Sequence, residues 1–345
     1  MRIIDNLSNI ILFSSVLSAA VIASAPAQGQ NFPMLGAGSA ELHASTSTST
    51  SAKPIKTLHA VLHRPQQSLA EIAIELVNPI NSLQSLSSEY LYEPHQGELP
   101  TADRQTLRSI AFTGSFPFHL SNGKNMVLRT TIPVNLTLPT YRDMGDPRDF
   151  TYWRIRQEAD TIAPSGNFSS VHAHMYDISY DVAYGGVNDH GLITMVGVAG
   201  VLPTSEDGSG GRHLYLLGPE IAVGKKFERG IVGGWLKHLT NVAGTSPGIE
   251  YNSNLTELKL FFAHGMGSGW QILSNSNITY DWEGAKHNKL LLPLGGGIAK
   301  TMRIGSLPVR FVLEAQKYLE TPDAFGPDWS LKFSMAFVDI KHSRF

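Results

Sequence analysis

The sequence predicts an all-β protein: a transmembrane, antiparallel, up-and-down β-barrel of about 12 strands with a short N-terminal helix. Three observations carry that prediction. The first is alternation. From Trp270 to Trp282 the even positions read Trp270, Ile272, Ser274, Ser276, Ile278, Tyr280 and Trp282, and the odd ones Gln271, Leu273, Asn275, Asn277, Thr279 and Asp281. A strand sends successive side chains to opposite faces, so this segment has one largely apolar face and one hydrated face. From Trp329 the pattern recurs, with Trp329, Leu331, Phe333, Met335 and Phe337 set against Ser330, Lys332, Ser334 and Ala336. The second observation is that this half of the chain offers no amphipathic helix to cover the apolar faces. Lipid is the remaining cover, and a closed barrel is the only sheet that satisfies its backbone inside a bilayer.

The third observation is connection length. Taken alternately, the connections at 121–125, 185–190, 225–229, 265–268 and 303–307 are short. The intervening ones, at 93–105, 139–171, 203–211, 243–253, 282–288 and 320–328, are mostly longer. Outer-membrane barrels show this asymmetry, with short periplasmic turns and long external loops.

The elements follow in order. Met1-Arg2, the apolar run from Ile10 to Ala23 and the small residues Ala25-Pro26-Ala27 predict a signal peptide over 1–27, with Gln28 as first mature residue. Residues 28–65 form a Ser/Thr-rich periplasmic leader with too little apolar content to order itself. Residues 66–79 carry Leu69, Ile72, Ala73 and Leu76 at helical spacing. This short helix is read first as a linker, with a plug in the barrel mouth as the alternative.

Residues 80–340 make the barrel. The strand candidates are about 80–92, 109–119, 126–138, 172–184, 191–202, 212–224, 230–242, 254–264, 269–281, 289–302, 308–319 and 329–339. Each is near the ~9–11 residues that a tilted membrane strand requires. Asn122-Gly123 marks a tight hairpin between the second and third. Pro133 within the third implies an edge position or a lipid-facing irregularity.

Composition narrows the function. The chain has no cysteine, which excludes disulfides, a lipoprotein anchor and cysteine chemistry. Charged residues are 16 % of the chain and nearly balanced at a net charge of −2, which argues against a nucleic-acid partner. No cofactor and no metal is expected, and no catalytic residue is assigned. His172 and His174 are read as rim histidines without a third ligand, and Gly295-Gly296-Gly297 as a strand bend and not a phosphate loop. A His/Thr pair, His238 and Thr240 with Asn241, is the nearest approach to a barrel lipid hydrolase, and both are read instead as polar groups facing the lumen. A channel would use the inward charges, which by parity are Arg129, Asp177, Asp181, Glu220, Glu257, Lys259, Asp281, Arg310, Glu314 and Lys332. Such charges brace a closed lumen as readily as they line an open one. Trp235, Trp270, Trp282 and Trp329 fit girdles at the membrane interface.

Several segments also resemble a known family. LVNPINSL at 76–83, LRTTIPV at 128–134, GPEIAVGKKFERGIVGGWLKHLTNVAG at 218–244, SNSNITYDWE at 274–283 and LEAQKYLETPDAFGPDWSLKFSMAFV at 313–338 are similar to the outer-membrane family labelled "meta-pathway of phenol degradation". TYDWE and the Gly326-Pro327-Asp328-Trp329 turn are the most specific of these. The leader and the loop at 139–171 fall outside the resemblance. It implies an outer-membrane transporter or channel for small aromatic or hydrophobic molecules, with membrane lipids as its surroundings. No binding residues are established for that family, so none carry over. The alternative function is a structural or surface-interaction barrel, with 139–171 as its partner-binding loop.

Overall fold

The structure is a computed structural model describing residues 67–142, 149–162, 164–206, 211–244 and 252–338; the predicted signal peptide and leader lie outside these. Its strands are β1 (Ser85–Gln96), β2 (Thr106–His119), β3 (Asn125–Arg142), β4 (Asp149–Phe150), β5 (Asn167–Val171), β6 (His174–Met175), β7 (Ile178–Val187) and β8 (Leu192–Leu202). They continue as β9 (Tyr215–Lys226), β10 (Gly230–Ala243), β11 (Asn254–Gly267), β12 (Trp270–Asp281), β13 (Leu290–Ile304), β14 (Leu307–Glu320), β15 (Gly326–Pro327) and β16 (Trp329–Val338). Twelve of them form a closed antiparallel barrel. Closure comes from β1, which pairs with β2 on one side and β16 on the other. The short strands β4, β5 and β15 extend the wall at the long-loop end.

The barrel forms because alternation and turn chemistry agree. On β8 and β9 the outward residues Val196, Val198, Ile221 and Val223 are 54 %, 48 %, 47 % and 52 % exposed, while Ile193, Met195 and Ala222 on the other face are buried. Exposed apolar side chains recur on the outward face all around the wall, including Leu260, Ile272, Leu294, Leu313 and Phe333. A belt of this extent needs an apolar surrounding. The β2–β3 turn has Gly123 at φ 75°, and the Lys124 amide donates to Asn122 Oδ1 at 3.1 Å. Pro133 sits where β3 leaves its β7 register and takes up β6, so the missing N–H falls at a break in the ladder.

A second break lies between β12 and β13. The ladder runs from Trp270↔Lys300 to Leu273↔Gly297 and resumes only at Thr279↔Leu291. Side chains from β14 fill the gap from inside. The Asn275 amide donates to Glu314 Oε1 at 2.7 Å, and Gln316 Nε2 donates to Asn275 O at 2.8 Å. Both reach across Gly295 and Gly297, where an added Cβ would lie 2.1 Å from Ala315 O and 2.2 Å from Leu313 O. From the outer face Ser274 Oγ closes on Gly295 O at 2.8 Å. The Gly-rich run therefore serves close approach between strands.

Candidate functional site: the barrel lumen

The lumen has three levels. At the short-turn end sits the N-terminal helix, Leu69–Glu75, whose Ser68 and Glu71 form a reciprocal capping box. It is not a linker. Ile74, Val77 and Ile80 pack into the apolar cluster made by Val127, Ala183, Ile193, Met195, Ile231 and other inward residues, so the segment stoppers this mouth. Polar contacts hold it. Lys226 Nζ is 2.7 Å from Glu75 Oε2, while Glu75 Oε1 accepts from the Ser82 amide at 2.9 Å and Asn78 Nδ2 at 3.2 Å. Asn125 Nδ2 donates to Ile80 O at 3.3 Å, and Arg129 Nη1 donates to Pro79 O. The Ser68 amide holds the exposed Glu71 carboxyl below its ordinary pKa.

At the long-loop end the connections fold over the mouth as a cap. Leu99, Ala102, Tyr141, Phe150, Ile155, Ile162, Ala324 and Phe325 form a buried cluster. His95 stacks on Phe325 with ring centroids 4.5 Å apart. A second helix, Tyr152–Glu158, crosses to the β12–β13 loop, where Arg156 donates to Asn288 O at 3.0 Å and Lys289 O at 2.6 Å. Burial pushes the Tyr152 phenol above its ordinary range, opposed by the Arg156 cation.

Between plug and cap lie charged groups on the inward face. Arg129 grips Asp181 with two contacts, Nε to Oδ1 at 3.0 Å and Nη2 to Oδ2 at 2.6 Å, and its Nη2 lies 3.9 Å from Glu220 Oε1. The guanidinium carbon stands 4.3 Å from the centroid of the Trp235 ring, and Trp235 Nε1 donates to Glu220 Oε2 at 3.0 Å. Lys237 Nζ and Lys259 Nζ lie 4.6 Å and 5.9 Å from that same centroid. Arg129, Asp181, Glu220, Trp235 and Lys259 thus meet at mid-lumen. Glu257 faces Lys237 across the β10–β11 ladder, and Lys332 sits opposite Glu314 across β14–β16.

The other named charges serve the wall and its ends. Glu314 mends the β12–β13 gap, and Arg310 Nη2 donates to Gln271 Oε1 at 3.0 Å. Asp177 accepts from Ser205 Oγ at 2.7 Å and from the Arg212 amide at 2.9 Å, bracing the long loops. Asp281 caps the turn after β12 by accepting from the Glu283 amide at 3.1 Å.

Three expectations need correcting. Trp235 is 8 % exposed and faces the lumen, so it belongs to no girdle. It has the parity of buried Ile231 and Leu239, whereas Leu236 faces out. Trp270, Trp282 and Trp329 are the outward ones, at 43 %, 51 % and 38 % exposure. Trp270 carries Lys300 Nζ at 4.9 Å near the short turns, and Tyr280 and Trp282 pair at 4.8 Å near the long loops. His238 and Thr240 share the outward parity of Leu236; His238 Nδ1 meets Thr256 Oγ1 at 2.9 Å, not Thr240. His172 and His174 do not share one strand, because Ala173 between them has φ 55° and breaks it. Among the described residues no group of three His, Asp or Glu is placed to hold a metal ion.

No protein-family profile and no curated protein matches the chain. Solved structures do. An outer membrane channel from Pseudomonas putida F1 superposes at TM-score 0.51 and 10 % identity, over 74 % of this chain and 95 % of that one. The toluene transporter TodX of Pseudomonas putida gives 0.36 at 10 % identity, over 77 % of this chain and 93 % of that one. An outer membrane phospholipase of Salmonella typhi gives 0.35 at 8 % identity, over 79 % and 98 %. The first of these likenesses shows a shared barrel fold.

Proposed function

We propose that the protein is an outer-membrane channel for small molecules whose passage is gated by its own N-terminal segment. The observation that carries this reading is the coexistence of an apolar outward belt with a charged lumen stoppered by a separate segment, 67–82. A barrel of this strand number is narrower than the 16–18-stranded porins, which suits selective passage over general diffusion. The similar channel fold from Pseudomonas putida F1 supports the reading, as does the sequence resemblance to the phenol meta-pathway family, from which comes the expectation of aromatic or hydrophobic cargo. Export by a signal peptide over 1–27 and a home among outer-membrane lipids belong to the same proposal.

One observation favours a second reading. The cap is as well packed as the plug, with Tyr141, Ile155 and Phe325 fully buried, which suits a closed structural barrel offering its loops to a partner. Planar-bilayer conductance and liposome swelling, with and without residues 28–78, separate the two. The channel reading expects conductance to rise when the segment is deleted. A folded barrel that passes nothing in either form supports the structural role.

A further inference from the structure

We propose that the outward wall carries a binding site for one glycerophospholipid, a hollow at the short-turn end of β10 and β11 with Arg229 and His264 at its edge. The inference rests on the membrane reading of the wall and adds to it a discrete place for a single lipid molecule. What points to it is a cavity of about 270 Å³ lined by Phe227, Gly230, Val232 and Phe262, with Arg229 and His264 among its bordering residues.

Register makes the hollow. Gly230 pairs with His264 and Val232 with Phe262, so these four positions share the outward face. Gly230 brings no side chain to that face. Phe227, Val232 and Phe262 stand around the gap at 54 %, 43 % and 41 % exposure. The gap is not one that a small side chain would simply fill, because an added Cβ at Gly230 would lie 2.9 Å from Ala263 O and 3.5 Å from His264 Nδ1.

The hollow has apolar walls and a polar edge, in the order in which a lipid presents its parts. Val232 and Phe262 lie toward the middle of the belt, which Leu236 and Leu260 continue. Arg229 and His264 lie at the turn end, both exposed, and neither side chain has a hydrogen-bond or ion-pair partner among the described residues. Glu228, the carboxylate of that turn, does not line the hollow, and the adjoining turn at 265–269 holds no carboxylate. A phosphodiester seated between acyl chain and water would meet a guanidinium able to grip two of its oxygens, with an imidazole N–H as a further donor. The volume falls short of the ~300–1,000 Å³ of a pocket for a whole small molecule. It therefore suits a stretch of one acyl chain, the rest of the lipid lying along the belt. Trp270, on the same strand as the Ile272 that pairs with His264, marks the membrane interface near this level.

The test is native mass spectrometry on the detergent-purified full chain, incubated with dioleoyl phosphatidylglycerol, with dioleoylglycerol, which lacks the phosphate, or with inorganic phosphate. One retained phosphatidylglycerol is expected. Its affinity should fall at least about tenfold in the double variant Arg229→Gln with His264→Ala, through loss of a charge-assisted bond. It should fall as far in Val232→Trp, which fills the hollow and keeps both donors. Arg108→Gln, on the outward face at the opposite rim, should leave it unchanged. Heat-modifiable migration in gels checks that each variant is folded. Dioleoylglycerol or inorganic phosphate binding as tightly, unchanged affinity in the double variant or in Val232→Trp, or a lipid-free dimer would each overturn the proposal. Flotation with vesicles of the same lipid keeps two failures apart. A chain that inserts but retains no lipid loses the site alone, whereas one that does not insert loses the membrane reading with it.

Discussion

The chemistry of the lumen is decided by single side chains whose partners are far away in sequence. Glu75 is one. It joins the plug to Lys226 and ties Asn78 and Ser82 into a compact turn. A hydrogen bond to a charged group contributes roughly 1.5–3 kcal/mol, so Glu75→Gln should raise the population of the unplugged state about tenfold or more. Conductance events counted in bilayers would show it; an unchanged event rate would mean the plug is held by packing alone. Glu71 gives a pH dependence. Its folded pKa lies below its ordinary value of 4.5, chiefly through the bond from the Ser68 amide. The contribution is therefore fully present above about pH 4.5, the unfolded value, and is lost as pH falls through the lower folded value. Hydrogen exchange across 69–76 should quicken in that acid window, and Ser68→Ala should quicken it at neutral pH as well. The helical spacing of Leu69, Ile72, Ala73 and Leu76 was legible in the sequence, whereas the Ser68–Glu71 capping box is read from the structure. Nor was the plug legible there, because Glu75, Lys226 and Arg129 meet only after barrel closure. Trp235 was misread for a related reason: tryptophan type suggests an interface, whereas its odd parity beside Ile231 and Leu239 already placed it inward.

Elements show which patterns travel well from sequence to structure. Strands with clean alternation, such as β2, β8 and β12, lie within a few residues of their expected bounds. The cap did not declare itself, since its helix, Tyr152–Glu158, is only 7 residues long and too short for a period to emerge. Arg156 fastens it to Asn288 and Lys289, and Arg156→Ala should release the loop. Trypsin added to intact cells should then cut within 149–172 faster than in the parent protein. Cutting only after the envelope is opened would place the long loops on the opposite side from the one proposed. The β12–β13 gap was equally silent, because its repair comes from β14. Glu314→Ala removes the acceptor for the Asn275 amide, a loss of roughly 1–3 kcal/mol. Amide exchange confined to 274–278 is the readout, and no change there would mean water replaces the carboxylate.

At the scale of the whole molecule the belt and the lumen have opposite demands, and a closed barrel meets both. Outward residues such as Val198, Ile221, Val223 and Leu313 stay exposed because the surrounding phase, not another part of the chain, is apolar. Inward neighbours one position away, Gly197, Glu220, Ala222 and Glu314, are covered by the plug, by each other and by the cap. Breaking the Arg129–Asp181 pair with Arg129→Leu would leave a buried carboxylate alone and cost about 3–5 kcal/mol, seen as a lower unfolding midpoint in urea. The double change Arg129→Leu with Asp181→Leu should recover most of that loss.

The alternation itself is open to direct measurement, since a chain without cysteine accepts single spin labels cleanly. Labels placed singly at Val196, Val198, Ile221, Val223 and Leu313 in liposomes should collide readily with oxygen and poorly with a water-soluble nickel chelate. Labels at the inward positions Lys237, Glu257 and Lys332 should not share that preference for oxygen. If both sets met the nickel chelate equally, the outward face would be wetted by water and not by acyl chains, and the membrane barrel would be contradicted.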